Sequence, residues 1–242
     1  VGKDRPGAGT EGSLREVKPP PDRLYGRARG HKLRPRQERL LDVTLPRLAV
    51  PDPLPPGPLW LEVGFGGGEH ALAQVRTHPE ATLIAAEVFE NGICSLLSAL
   101  VSEDAPETTA PLPPNLYLWT DDARILLRRL PDACLDRLFL LFPDPWPKAR
   151  HAKRRFVHPA NLPLLARLLK PGAEWRVASD DPTYQAWVRD VMAAQTLFTA
   201  AEPAATRPDG WPATRYEAKA LKAGRQPLYW SFRRTAEPPA TE

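Results

Sequence analysis

From residue 59 onward, short apolar runs alternate with amphipathic stretches, and this alternation constrains the chain more than any other feature. Leu59 to Val63, Thr82 to Glu87, Leu116 to Trp119, Leu138 to Phe142 and Glu174 to Ala178 read as strands. Glu69 to Thr77, Phe89 to Val101, Ala123 to Leu130 and Pro159 to Leu169 read as the helices between them; Thr183 to Ala194 is a further helix and Leu228 to Phe232 a last strand. Repeated strand–helix units of this length imply parallel strands with crossover helices on both faces, so the expected fold is α/β, a doubly wound and mostly parallel sheet. Ligands of such a sheet bind outside the carboxyl ends of the strands, near the switch in strand order.

The residues expected at those ends carry chemistry. The first strand closes in Glu62-Val-Gly64-Phe-Gly66-Gly-Gly68, a turn whose alternate glycines let the backbone bend tightly and approach a ligand closely. A dinucleotide fingerprint would continue with glycine at 69, but Glu69 stands there and would face a pyrophosphate, which disfavours a nicotinamide cofactor. Glu87 ends the second strand and could accept both hydroxyls of a ribose; Asp122-Ala123 follow the third, where a carboxylate could take an exocyclic amine. Singly, each acid also reads as a helix N-terminal residue favoured by the dipole. Asp180 ends the fifth strand and reads equally as an N-cap or as an acceptor for a base edge.

Residues 142–156 are the second strong signal. Pro143, Pro145 and Pro147 fall at alternate positions around Asp144 and Trp146, and no strand or helix continues through them. Lys148, Arg150, Lys153, Arg154 and Arg155 follow, with His151, without one acid. A stiff loop thus holds an acid, an aromatic plate and dense positive charge. Trp146 reads as a stacking platform for a base or as a brace for the loop. Further on, Thr214-Arg215-Tyr216-Glu217 has the spacing of a capping box as well as the donors and acceptors to hold a base.

Net charge is +4, but it is uneven: residues 1–40 carry eleven Lys or Arg against five Asp or Glu, leaving −2 for the rest. That concentration favours a polyanionic partner. Residues 1–22 read as a disordered tail, 23–50 as a basic arm running into a helix over 35–47, and 51–242 as one large domain. Cys94 and Cys134 stand apart without a Cys/His cluster, so the site is expected to be metal-free. No apolar stretch approaches the roughly 20 residues of a membrane span, and no signal segment precedes the arm. A reducing cytoplasm is the expected compartment, and monomer and homodimer both stay open.

Taken together, Leu-Glu-Val-Gly-Phe-Gly-Gly-Gly from 61, Ala-Glu-Val-Phe-Glu-Asn-Gly from 86, the proline loop from 142 and Thr-Arg-Tyr-Glu from 214 resemble the bacterial tRNA (guanine-N7-)-methyltransferases, the TrmB-type family, over roughly residues 23–234. The resemblance makes 51–242 a class I methyltransferase domain, with a Rossmann-like, seven-stranded fold using S-adenosyl-L-methionine. It implies cofactor contacts at Glu62, Gly64, Gly66, Gly68, Glu87, Asp122, Ala123 and Asp144, with Asp144 also at the reaction centre. Lys148, Asp180, Thr214, Arg215, Tyr216 and Glu217 would meet the substrate guanosine, in the variable loop of tRNA, and Arg150, Lys153, Arg154 and Arg155 the tRNA backbone. Pro147, Ser179-Asp180-Asp181 and Tyr216 depart from the usual family pattern around the substrate pocket. Two other readings remain: a methyltransferase of an exocyclic amine, because Asp144-Pro145-Trp146 echoes an Asp-Pro-Pro-aromatic motif, and a non-catalytic RNA-binding protein on the same scaffold.

Overall fold

The computed structural model describes residues 28–236; the expected tail, and residues 23–27 of the arm, lie outside them. Seven strands, β1 (Leu59–Val63), β2 (Thr82–Ala86), β3 (Leu116–Trp119), β4 (Leu135–Leu141), β5 (Leu169–Ser179), β6 (Phe198–Ala200) and β7 (Leu228–Arg234), form one sheet in the order β3-β2-β1-β4-β5-β7-β6. The first five pair in parallel, while β7 runs antiparallel to both β5 and β6. Strand order reverses between β1 and β4, and the expected switch point falls there. The short edge strand β6 was not legible as a strand. β4 and β5 both begin earlier than their apolar runs, because Leu135 pairs with Leu169 ahead of a register shift.

Helices α2 (Glu69–Thr77) and α3 (Glu90–Leu100) cover one face, and α4 (Ala123–Arg129), α5 (Leu162–Leu168) and α6 (Pro182–Ala193) the other. Strand alternation sorts the side chains: Leu61, Leu138, Leu140 and Val177 meet α4, α5 and α6, while Trp60, Leu83 and Phe139 meet α2 and α3. Each fully buried side chain of this size contributes about 1.5–3 kcal/mol, so the two layers fix the strand ends firmly.

The helix expected over 35–47 divides into α1 (Pro35–Arg39), a π turn over Leu40–Thr44 and a 3₁₀ turn over Leu45–Leu48. Pro46, lacking an N–H, cannot continue the α ladder. Several cations within residues 28–50 are fastened to the body. Arg36 donates to Val101 O at 2.7 Å, Arg47 to Ala110 O at 2.7 Å, and Arg39 pairs with Glu107 at 3.1 Å. Just upstream, Ala28 O accepts from Glu90 N at 2.9 Å and His31 O from the Asn91 amide at 3.1 Å, which ties residues 28–31 to the start of α3. Among the described residues, no helix is long and apolar enough to cross a membrane.

Candidate active site

A cleft of about 390 Å³ opens at the carboxyl ends of β1, β2, β3 and β4. The chain leaves β1 through Gly64, whose N–H donates to Ala86 O at 2.8 Å, and turns back at Gly66 with φ +60°. Gly66 is favoured by its left-handed backbone, and Gly92 is required by contact. A Cβ on Gly66 would lie 2.7 Å from the Tyr216 ring, and one on Gly92, in α3, would lie 2.2 Å from Gly66 O. Helix α3 and the turn therefore meet backbone to backbone. Gly68, the N-cap of α2, lies against Leu96 and away from the cleft lining.

Glu87 binds this turn to the next strand. Its Oε2 accepts from Gly66 N at 2.8 Å, and its Oε1 from Val88 N and Phe89 N at 2.8 and 3.0 Å. The residue also forms part of the cleft wall. Asp122 N-caps α4, accepting from Arg124 N at 2.9 Å, and pairs with the Arg124 guanidinium at 2.5 Å. Burial alone would raise the Asp122 carboxyl, but the hydrogen bonds and charge of Arg124 outweigh it and hold the group below its ordinary value. Ala123 and Asp121 line the same wall. Asp121 escaped the sequence reading, although its position beside Asp122 was the available signal.

Asp144 faces the cleft from the proline loop, exposed and without an ion pair among the described residues. The loop bends through left-handed backbone on both sides of it, at Phe142 (φ 52°) and Trp146 (φ 44°), conformations that bulky residues seldom adopt. The rim beyond β4 is basic: Lys153, Arg154 and Arg155 line the cleft, and the Arg154 guanidinium lies 4.7 Å from the Trp146 ring centre. Lys148 and Arg150 are exposed but stand outside the lining. Arg155 differs from the rest of the run: it is 5% exposed and its guanidinium turns inward onto backbone carbonyls.

Other expected site residues are not brought to this wall. Glu62 is 2% exposed and accepts from His70 Nδ1 at 3.0 Å beneath the glycine turn. Gln74 lies 3.1 Å from the other nitrogen of that ring. Asp180 is not the N-cap of α6; Asp181 is, accepting from Tyr184 N at 2.9 Å, while Asp180 pairs with Arg225 at 2.6 Å. Thr214 caps α7 (Arg215–Lys222), accepting from Glu217 N at 3.1 Å. Glu217 is buried and takes the Tyr229 hydroxyl at 2.7 Å and Arg207 Nε at 3.0 Å. Burial, reinforced by Glu217, pushes the Tyr229 phenol upward, so it stays a donor. Arg215 reaches Glu69 at 3.6 Å, leaving Tyr216 as the α7 residue that borders the cleft.

Among the described residues no group of three or more His, Cys, Asp or Glu is placed to hold a metal ion. Burial pushes the Cys94 and Cys134 thiols up to about 11, which keeps both protonated and poorly nucleophilic. The side of the cleft over β2 and β3 is acidic, lined by Glu87, Asp121 and Asp122 with Arg124 paired to the last, and it suits a ligand group that carries positive charge; glycines form the floor, and the opposite rim is basic.

The strand order, the antiparallel seventh strand and the glycine turn opposite acidic strand ends define a class I methyltransferase. Residues 56–229 match the model of the family described as "Putative methyltransferase". The chain is 68% identical to the tRNA (guanine-N(7)-)-methyltransferase of Granulibacter bethesdensis, over 89% of this chain and 96% of that one. It is 48% identical to the protein of that name from Rhodospirillum rubrum, over 88% of each chain. The solved structure of the 16S rRNA methyltransferase KamB shares the fold, with a TM-score of 0.50 at 19% identity, covering 74% of this chain and 88% of that one. The chain belongs to the bacterial tRNA (guanine-N(7)-)-methyltransferase family.

Proposed function

We propose that this protein transfers a methyl group from S-adenosyl-L-methionine to N7 of a guanosine in the variable loop of tRNA. The observation that carries the reading is Asp144, an acid without an ion-pair partner among the described residues, held at the mouth of an acid-walled cleft and beside a basic rim. The family relatives, named for that reaction, support it.

S-adenosyl-L-methionine, when bound, supplies an electrophilic methyl group on a sulfonium. Guanine N7 presents an in-plane lone pair and no proton, so the protein needs no general base. Its task is to align donor and acceptor and to accommodate positive charge as it reaches the purine. Alignment of this kind can contribute up to about 7–11 kcal/mol. Glu87 holds the glycine turn through three accepted N–H bonds, and its one remaining lone pair, on Oε2, suits a ribose hydroxyl; Asp121, beside the Arg124-paired Asp122, suits an amine on the adenine side. Asp144, across the cleft, stabilises a base that is becoming cationic. Trp146, backed by Arg154, offers a ring face to the nucleotide, and Lys153 and Arg154 offer charge to its phosphates. In this reading Glu62 and Glu217 act from below the surface, by supporting α2 and α7.

The test is direct. Incubation with tritiated S-adenosyl-L-methionine and bulk tRNA should label the tRNA and create a site for aniline scission after borohydride reduction. Label on an exocyclic nitrogen, or RNA binding without transfer, would overturn the assignment.

A further inference from the structure

Arg155 sits in a run of cations yet is withdrawn from solvent, being 5% exposed. Its Nε donates to Pro145 O at 3.1 Å and its Nη2 to Trp146 O at 3.0 Å. The side chain thus reaches back across the 3₁₀ turn Ala149–Arg154 and clasps the two residues that follow Asp144. One of those carbonyls belongs to Trp146, whose backbone is left-handed. On its other side the guanidinium lies 4.7 Å from the ring centre of Trp187, in α6. Trp187 is itself fixed, because its indole N–H donates to Val157 O at 2.5 Å, and Val157 N–H donates to the fully buried Tyr184 hydroxyl at 3.3 Å.

We propose that Arg155 is a positioning residue: clamped between α6 and the proline loop, it holds the Pro145 and Trp146 carbonyls so that Asp144 faces the cleft, and it makes no contact with the nucleic-acid backbone. The chemistry requires arginine. A planar guanidinium can serve two carbonyls with parallel donors while its face stacks on an indole, whereas lysine offers a compact ammonium without that face. The loop needs the clasp because Phe142 and Trp146 both adopt backbone conformations that cost energy unless their surroundings enforce them.

This inference rests on the proposed methyl transfer, and the experiment separates the two. Arg155→Lys, Trp187→Leu and the double variant Asp144→Ala/Arg155→Lys are assayed in the full chain with S-adenosyl-L-methionine and tRNA, alongside tRNA affinity at several salt concentrations. Arg155→Lys should lower kcat at least tenfold, with tRNA affinity within about twofold and an unchanged salt slope. Trp187→Leu should lower kcat in the same sense. In the Asp144→Ala background, Arg155→Lys should change the residual rate less than twofold, since the group through which it acts is gone. A salt slope reduced by about 0.7–0.9 would make Arg155 a phosphate ligand and overturn the proposal. So would full turnover by Arg155→Lys, or a loss that multiplies undiminished with Asp144→Ala. Absence of transfer by the wild-type protein would instead overturn the functional reading itself.

Discussion

Gly92 gives the sharpest test of how the cleft is built, because its role follows from one distance. A Cβ at this position would lie 2.2 Å from Gly66 O, a backbone atom that cannot rotate away. Restoring an ordinary separation requires about 1 Å or more of movement between α3 and the glycine turn. Helix α3 is held by Ile93, Leu96 and Leu97 in the core, so the turn is the part that yields. Moving it stretches the 2.8 Å bond from Gly66 N to Glu87, which connects the floor of the cleft to its acidic wall. Overpacking of this kind costs about 1–3 kcal/mol. For a chain of this size that corresponds to a fall in Tm of about 2–4 °C per kcal/mol. Gly92→Ala should therefore remain folded by circular dichroism, melt a few degrees lower, and bind S-adenosyl-L-methionine at least tenfold more weakly by calorimetry. A 1 Å misplacement can also reduce turnover by about a hundredfold. Cofactor affinity within twofold of wild type would refute the argument, because it would mean that the turn and helix separate without consequence for the site.

Asp144→Ala should abolish most turnover while tRNA affinity stays near wild type; parallel loss of both, measured by filter binding and initial rates, would assign the residue a structural role. Neutralising Lys153 and Arg154 together should weaken tRNA binding and flatten its salt dependence by about 0.7–0.9 for each phosphate no longer neutralised. Glu174 supplies a pH test. Burial would raise its carboxyl, but the Ser231 hydroxyl, Arg176 and Arg137 outweigh burial and lower it below the 4.5 of an unperturbed glutamate. Its stabilising contribution is therefore complete above that ordinary value and is lost as pH falls through the lower folded one. The Tm advantage of wild type over Glu174→Gln should shrink on acidification below about pH 4.5, and a gap independent of pH would count against the charge pairing.

The strand ends were legible because periodicity and glycines report on backbone, and backbone order determines which residues share an edge. The direction and commitments of individual side chains were not. Glu62 carries no local mark distinguishing a cleft acid from a buried one; the outcome is decided by His70, on the next element, which offers it a donor. Asp180 and Asp181 are equivalent on paper, and helix geometry selects the second as the cap. Arg155 is a cation among cations until Trp187, far along the chain, gives it an inward partner. Thr214 and Glu217 show the converse case, where the alternative capping reading was visible in the spacing and holds for the threonine. β6 was lost because three residues at a sheet edge show no usable alternation.

The position of β7 has a consequence for how the molecule assembles. This strand is the last of the seven in sequence, yet it is inserted between β5 and β6, so β6 has no neighbour in the sheet until residues 228–234 are available. Trp230 and Phe232, buried at 3% and 0% exposure, complete the packing around Trp175 only at that moment. During synthesis the first five strands can therefore associate early, while the far side of the sheet waits for β7 to emerge. Late, long-range closure of this sort is slow, and it leaves a half-finished sheet edge open to wrong pairing in the interval.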